Sequence, residues 1–74
     1  MEIKPDLSER LKVARAKRDY TQGALARLSG VSVTTISEIE HTPGRNVNLY
    51  TVRALADALG VSTAWLCGFD EGSR

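Results

Sequence analysis

Seventy-four residues carrying a net charge of +1 make one small domain, near the lower limit at which a chain can build its own core. The single cysteine, Cys67, excludes an internal disulfide, and one Cys with one His, His41, argues against a metal site. No apolar run is long enough to span a bilayer and no secretory h-region is present, so the chain reads as soluble, non-exported and cytoplasmic, with no membrane partner.

Residues 1–6 read as an N-terminal arm, with Pro5 just ahead of the first helix. Asp6 or Ser8 caps that helix. Leu7, Leu11, Ala14 and Arg18 follow a helical period that ends near Arg18 and Asp19, and Tyr20 then turns inward as a plug. Thr21 caps a second helix with Leu25 and Leu28 on one apolar stripe, and Gly30 closes it where a left-handed residue is needed. Ser32 caps a third helix: Val31, Ile36 and Ile39 form its apolar side, and Val33, Thr34, Ser37 and Glu38 face outward. The segment from His41 to Val47 is a loop, its turn marked by Pro43-Gly44. Asn48 caps a fourth helix with Leu49, Val52, Leu55, Ala56 and Leu59 on one face, and Gly60 ends it. Ser62 caps a short fifth helix bearing Ala64, Trp65 and Leu66. Residues 68–74 read as a tail or the start of a linker. No strand pattern is present. The expected fold is an all-α compact five-helix bundle, a single domain over residues 7–67. Four aromatics, Tyr20, Tyr50, Trp65 and Phe69, leave its core mostly aliphatic.

The order of these features resembles the helix-turn-helix domain of the phage repressor/Cro family, also called the xenobiotic-response-element type. Four landmarks between Leu11 and Leu66 carry the resemblance, over about three quarters of the chain. They are Arg15; Thr21-Gln22 with Leu25-Ala26 and Gly30-Val31-Ser32; Ile36-Ser37-Glu38-Ile39-Glu40; and Ala58-Leu59-Gly60-Val61-Ser62 followed by Trp65-Leu66. The resemblance implies a lambda-repressor-like bundle with the helix-turn-helix at 21–40 and helix 33–39 as the part that enters a DNA major groove.

Candidate contacts follow from position and chemistry. Thr21 and Gln22 open the second helix, where backbone amides favour an anion and the Gln amide adds a donor to the same phosphate. In the resembling family a Gln at this place clamps the DNA backbone. Val33, Thr34, Ser37 and Glu38 are the family's base-reading places. Here Val33 offers methyls suited to the thymine methyl, and Thr34 offers a methyl and a hydroxyl. Glu38 only accepts, so it either meets a cytosine amino group or excludes wrong sequences by repulsion. This helix lacks the Gln and Arg readers common in the family. Ser32 and Thr35 lie at its first turn, Ser32 as a cap and Thr35 as a phosphate ligand. Arg45 and Asn46 lie in the following loop, which hugs a phosphate strand in related repressors and otherwise is simply solvated.

The resemblance further implies a structural ion pair between Arg15 and Glu40. It leaves two readings for the C-terminal apolar group: Trp65 and Leu66 close the core, or Trp65, Leu66 and Phe69 form a two-fold dimer contact. Charge agrees weakly with a DNA face. Residues 1–20 hold six Lys and Arg against four Asp and Glu, whereas residues 54–74 hold Asp57, Asp70 and Glu71 against Arg74. The expected function is a bacterial or phage-encoded, nucleoid-associated transcriptional regulator, read as a repressor. It binds a double-stranded operator with an inverted repeat as a homodimer and needs no cofactor. The competing reading is an antitoxin-like or scaffold interaction module on the same fold. No catalytic constellation is evident, so an enzyme is not expected.

Overall fold

Four of the helix starts are fixed by one polar side chain each. In the computed structural model, which describes residues 7–44 and 46–68, Thr21 Oγ1 accepts from Ala24 N at 3.0 Å and Ser32 Oγ accepts from Thr35 N at 3.1 Å. Asn48 Oδ1 accepts from Tyr50 N at 2.6 Å, and Ser62 Oγ accepts from Trp65 N at 2.9 Å. Each bond satisfies an amide that the first helical turn otherwise leaves without a partner. The helices so opened are α2, Gln22–Ser29; α3, Val33–His41; α4, Leu49–Leu59; and α5, Thr63–Cys67. They follow α1, Leu7–Lys17. No strand occurs among the described residues.

The main helix contacts close a ring: α1 packs on α3, α3 on α2, α2 on α4, α4 on α5, and α5 back on α1. All five helices feed the core inside it. Leu11 and Ala14 come from α1, Leu25 from α2, Ile36 and Ile39 from α3, Val52, Leu55, Ala56 and Leu59 from α4, and Leu66 from α5. Tyr20 and Trp65 pack against this aliphatic centre half-buried. Cys67 also lies at its edge as a free thiol, and burial pushes its pKa up, which keeps it in the poorly reactive thiol form. Among the described residues no helix is long and apolar enough to cross a membrane.

Three expectations need correction. Leu28 is 58 % exposed, although it shares a nominal stripe with Leu25. Three residues advance a helix by about 300°, so Leu28 sits off the narrow line along which α2 meets its neighbours. Leu49 is 65 % exposed because it is the first residue of α4 and lies beyond the end of the core. Ser8 is no cap: it lies inside α1, is buried, and donates to the backbone carbonyl of Glu40 at 2.7 Å. Asp6, the other candidate cap, lies outside the described residues.

Gly60 ends α4 at φ +73°, returning its amide to Ala56 and Asp57. A Cβ there would both disfavour the left-handed backbone and collide with the Arg18 guanidinium, which lies across this turn. The Arg18 tip is free to move aside, so the backbone sets the penalty. Gly60→Ala should cost about 1–2 kcal/mol in a urea or thermal melt. An unchanged midpoint would mean that the turn relaxes out of the left-handed region.

Candidate nucleic-acid interface

The α2–turn–α3 segment builds the site. Gly30, at φ +80°, ends α2 and returns its amide to Ala26 at 2.9 Å. Two residues later Ser32 caps α3, so a short turn joins the two helices, which pack on each other. The inner side of α3 is fixed by Ile36, Ile39 and Glu40, all buried. The outer side presents Val33, 43 % exposed, with Thr34 and Glu38 also exposed and Ser37 half-buried. Val33, Thr34 and Ser37 are small, so near them the α3 backbone can lie close to a surface that fits it, and a B-DNA major groove admits an α-helix.

Thr35 is half-buried beside the cap, its Oγ1 accepting from Ser32 Oγ at 3.0 Å, so the Thr35 hydroxyl proton is left for another acceptor. His41 Nδ1 lies 2.8 Å from the Ser37 carbonyl oxygen. Carbonyl oxygen only accepts, so Nδ1 carries the proton and His41 caps the last turn of α3. Asn46 is exposed in the loop that follows, whereas Arg45 lies outside the described residues.

Behind α3 stands a buried polar knot. Glu40 is 3 % exposed. Its Oε2 accepts from Arg15 Nε at 2.8 Å and its Oε1 from Arg15 Nη2 at 2.9 Å, a two-pronged guanidinium–carboxylate pair. Gln22 Nε2 donates to the same Oε1 at 3.0 Å. Arg15 Nη1 donates to the Tyr20 carbonyl at 2.8 Å. Burial pushes the Glu40 carboxyl up, but the hydrogen bonds from Arg15 and Gln22, with the charges of Arg15 and Lys12, outweigh it and hold the group below the ordinary carboxylate range. The hydrogen bond to Glu40 raises Arg15 further, so its charge is permanent.

The residues singled out from sequence are therefore placed unequally. Thr21, Gln22, Val33, Thr34, Thr35, Ser37 and Glu38 are gathered on the α2 start and the α3 outer side. Leu66 is a correction: it is 0 % exposed, spent on the chain's own core, and cannot reach a second copy. Trp65 is half-buried, with the Arg10 guanidinium 4.9 Å from its ring centroid and Arg10 Nη1 donating to its carbonyl at 3.0 Å. Phe69 lies outside the described residues. Sequence reasoning missed the Gln22–Glu40 bond, the Ser8 bond and the Arg10–Trp65 contact. Each joins residues far apart in the chain, so no local spacing signals it. Among the described residues no group of His, Cys, Asp and Glu is placed to hold a metal ion.

Two short helices joined by a glycine turn, the second held by an inner apolar side and bare on its outer side, define a helix-turn-helix protein. The chain belongs to the helix-turn-helix family, whose model matches residues 11–66. It is 41 % identical over 66 residues to the HTH-type transcriptional regulator PrtR of Pseudomonas aeruginosa, covering 88 % of this chain and 25 % of PrtR. The chain thus spans about a quarter of the length of that relative. Among solved structures it is similar to the P22 c2 repressor in complex with synthetic operator 9T, with TM-score 0.76 and 33 % identity, covering 86 % of this chain and 96 % of that one. It is also similar to a hypothetical transcription factor, NHTF, from Neisseria, with TM-score 0.78 and 27 % identity, covering 89 % of this chain and 75 % of that one. The fold is that of the phage-repressor-like domains, with five helices among the described residues and the helix-turn-helix within residues 21–41.

Proposed function

We propose that this chain is the sequence-specific DNA-binding domain of a transcriptional regulator, acting as a repressor, with α3 in the major groove of its operator. The observation that carries this reading is the two-sided character of α3: Ile36, Ile39 and Glu40 anchor it, and Val33, Thr34 and Glu38 stand exposed. The likeness to a repressor solved with its operator and to a named transcriptional regulator supports it. Gln22 and the α2 amides hold one phosphate strand, with Thr21, Ser32, Thr35 and Asn46 near it. Arg45 is carried as a further phosphate contact from its place in the loop. Val33, Thr34, Ser37 and Glu38 face base edges. Two copies on an inverted repeat set their α3 helices about 34 Å apart, one turn of B-DNA. Trp65 and Phe69 are the residues proposed for the contact between copies, without Leu66.

The test is binding to duplex DNA across a salt series. Affinity should fall steeply with salt, as released counterions require. Gln22→Ala should weaken binding to every sequence alike, by about five- to tenfold. The salt slope should stay the same, because a neutral donor displaces no cation. A changed base preference in this variant would remove Gln22 from the phosphate strand.

One observation favours a second reading, a protein-interaction module on the same fold. The α3 outer face bears no Lys or Arg among its described residues, and Leu28, Leu49 and Tyr50 stand exposed. Absence of salt-dependent duplex binding in the same series would select that reading.

A further inference from the structure

We propose that Glu40 is a positioning residue for DNA contact: it fixes which edge of the Gln22 amide meets the phosphate. The inference rests on the DNA-binding reading above. Gln22 Nε2 donates to Glu40 Oε1 at 3.0 Å across 18 positions of sequence. That oxygen cannot swing away, because Arg15 holds both carboxylate oxygens at 2.8 and 2.9 Å.

A primary amide has two faces of opposite character, an acceptor oxygen and a donor NH2. Left alone on a helix, Gln22 could turn either one outward, and the oxygen would repel a phosphate. A carboxylate only accepts, so Glu40 admits the nitrogen and rejects the oxygen. One Nε2 proton is then committed to Glu40. The second, in the same plane, is left to donate outward from the first turn of α2. A buried anion thereby selects the donor edge for an external anion.

The same knot fixes the backbone beneath the contact. Arg15 Nη1 holds the Tyr20 carbonyl at 2.8 Å, at the turn that leads into the Thr21 cap. Ser8 Oγ holds the Glu40 carbonyl at 2.7 Å, tying the last turn of α3 to α1. Glu40 belongs to α3 and Gln22 to α2, so the phosphate contact and the base-reading face are set in one register.

A double-mutant cycle tests this. Duplex affinity is measured at fixed salt for wild type, Gln22→Ala, the charge-free pair Arg15→Met with Glu40→Leu, and the triple variant. Gln22→Ala should lose about five- to tenfold in the wild-type background and less than about twofold in the charge-free one, because the amide there is no longer oriented. Equal losses in both backgrounds overturn the proposal. A readout on the unmutated protein keeps the test independent of how the variants fold. In NMR spectra of the labelled wild type, the Gln22 Nε2 proton bonded to Glu40 should keep its shift when duplex is added, while its geminal partner moves. Loss of the Glu40-bonded signal on binding means that Gln22 leaves Glu40 to reach DNA, and overturns the proposal as well. Wild type that binds duplex without salt dependence sinks the DNA-binding reading itself, and this proposal with it.

Discussion

Arg15→Ala should destabilise the domain by about 3–5 kcal/mol, enough to unfold most of a chain this small at moderate temperature. The pair it breaks lies inside the protein: the Glu40 side chain is 2 % exposed and that of Arg15 is 22 % exposed. Truncating Arg15 leaves a carboxylate that has already lost its water, with the Gln22 amide still donating to it, and it leaves the Tyr20 carbonyl without Arg15. Replacing both partners, Arg15→Met with Glu40→Leu, should leave stability near or above wild type, because neither desolvation cost then remains. The contrast between single and double variants in a denaturant melt separates the cost of an orphaned charge from the worth of the pair.

Acid supplies an independent check. Glu40 in the folded wild type is held below the ordinary carboxylate range, so its contribution is complete above that range and is lost as pH falls through the lowered folded value. Arg15 stays charged throughout and adds no slope. In Arg15→Ala the dominant influence on Glu40 becomes burial, which raises it. The sign then reverses: the variant should gain stability as pH falls from neutrality, where the wild type is flat. A wild-type-like pH profile in Arg15→Ala would show that solvent enters the knot and hydrates Glu40.

Thr34→Glu should act on function alone. Thr34 is exposed in the first turn of α3, where a carboxylate is compatible with the helix dipole and adds a few tenths of a kcal/mol at most. Glu38, four residues on, repels the new carboxylate by a similar amount, so the melting midpoint should change little. In the groove the same carboxylate faces phosphates and base acceptors beside Glu38, and like charges brought together cost several kcal/mol. Duplex affinity should fall by about a hundredfold or more, on specific and nonspecific DNA alike. Retained affinity in a folded Thr34→Glu protein would mean that this side of α3 does not enter the groove. Glu38→Gln completes the comparison. It removes one negative charge from the same face, so nonspecific affinity should rise, and a changed preference at one base pair would mark Glu38 as a reader.

Local chemistry made most of the architecture legible. Thr21, Ser32, Asn48 and Ser62 are short polar residues that can bond an amide two or three positions on, and all four cap a helix. Gly30 and Gly60 hold the left-handed positions that end α2 and α4. Those interactions span a single turn, so sequence spacing determines them. The α3 outer face was legible for a related reason: Ile36 and Ile39 mark the buried side, and the exposed side follows by helical geometry. Tertiary structure decided the rest. Leu25 and Leu28 are equally apolar, yet only Leu25 is buried, because burial depends on which line of α2 the ring of helices touches. Leu66 was open to core or partner until packing closed over it. The Arg15–Glu40 pair was expected through the family resemblance, but Ser8 and Gln22 joining it at the Glu40 backbone carbonyl and carboxylate were not. Hydrogen bonds between residues 18 to 32 positions apart leave no periodic trace in a sequence, and only the folded chain sets their distance.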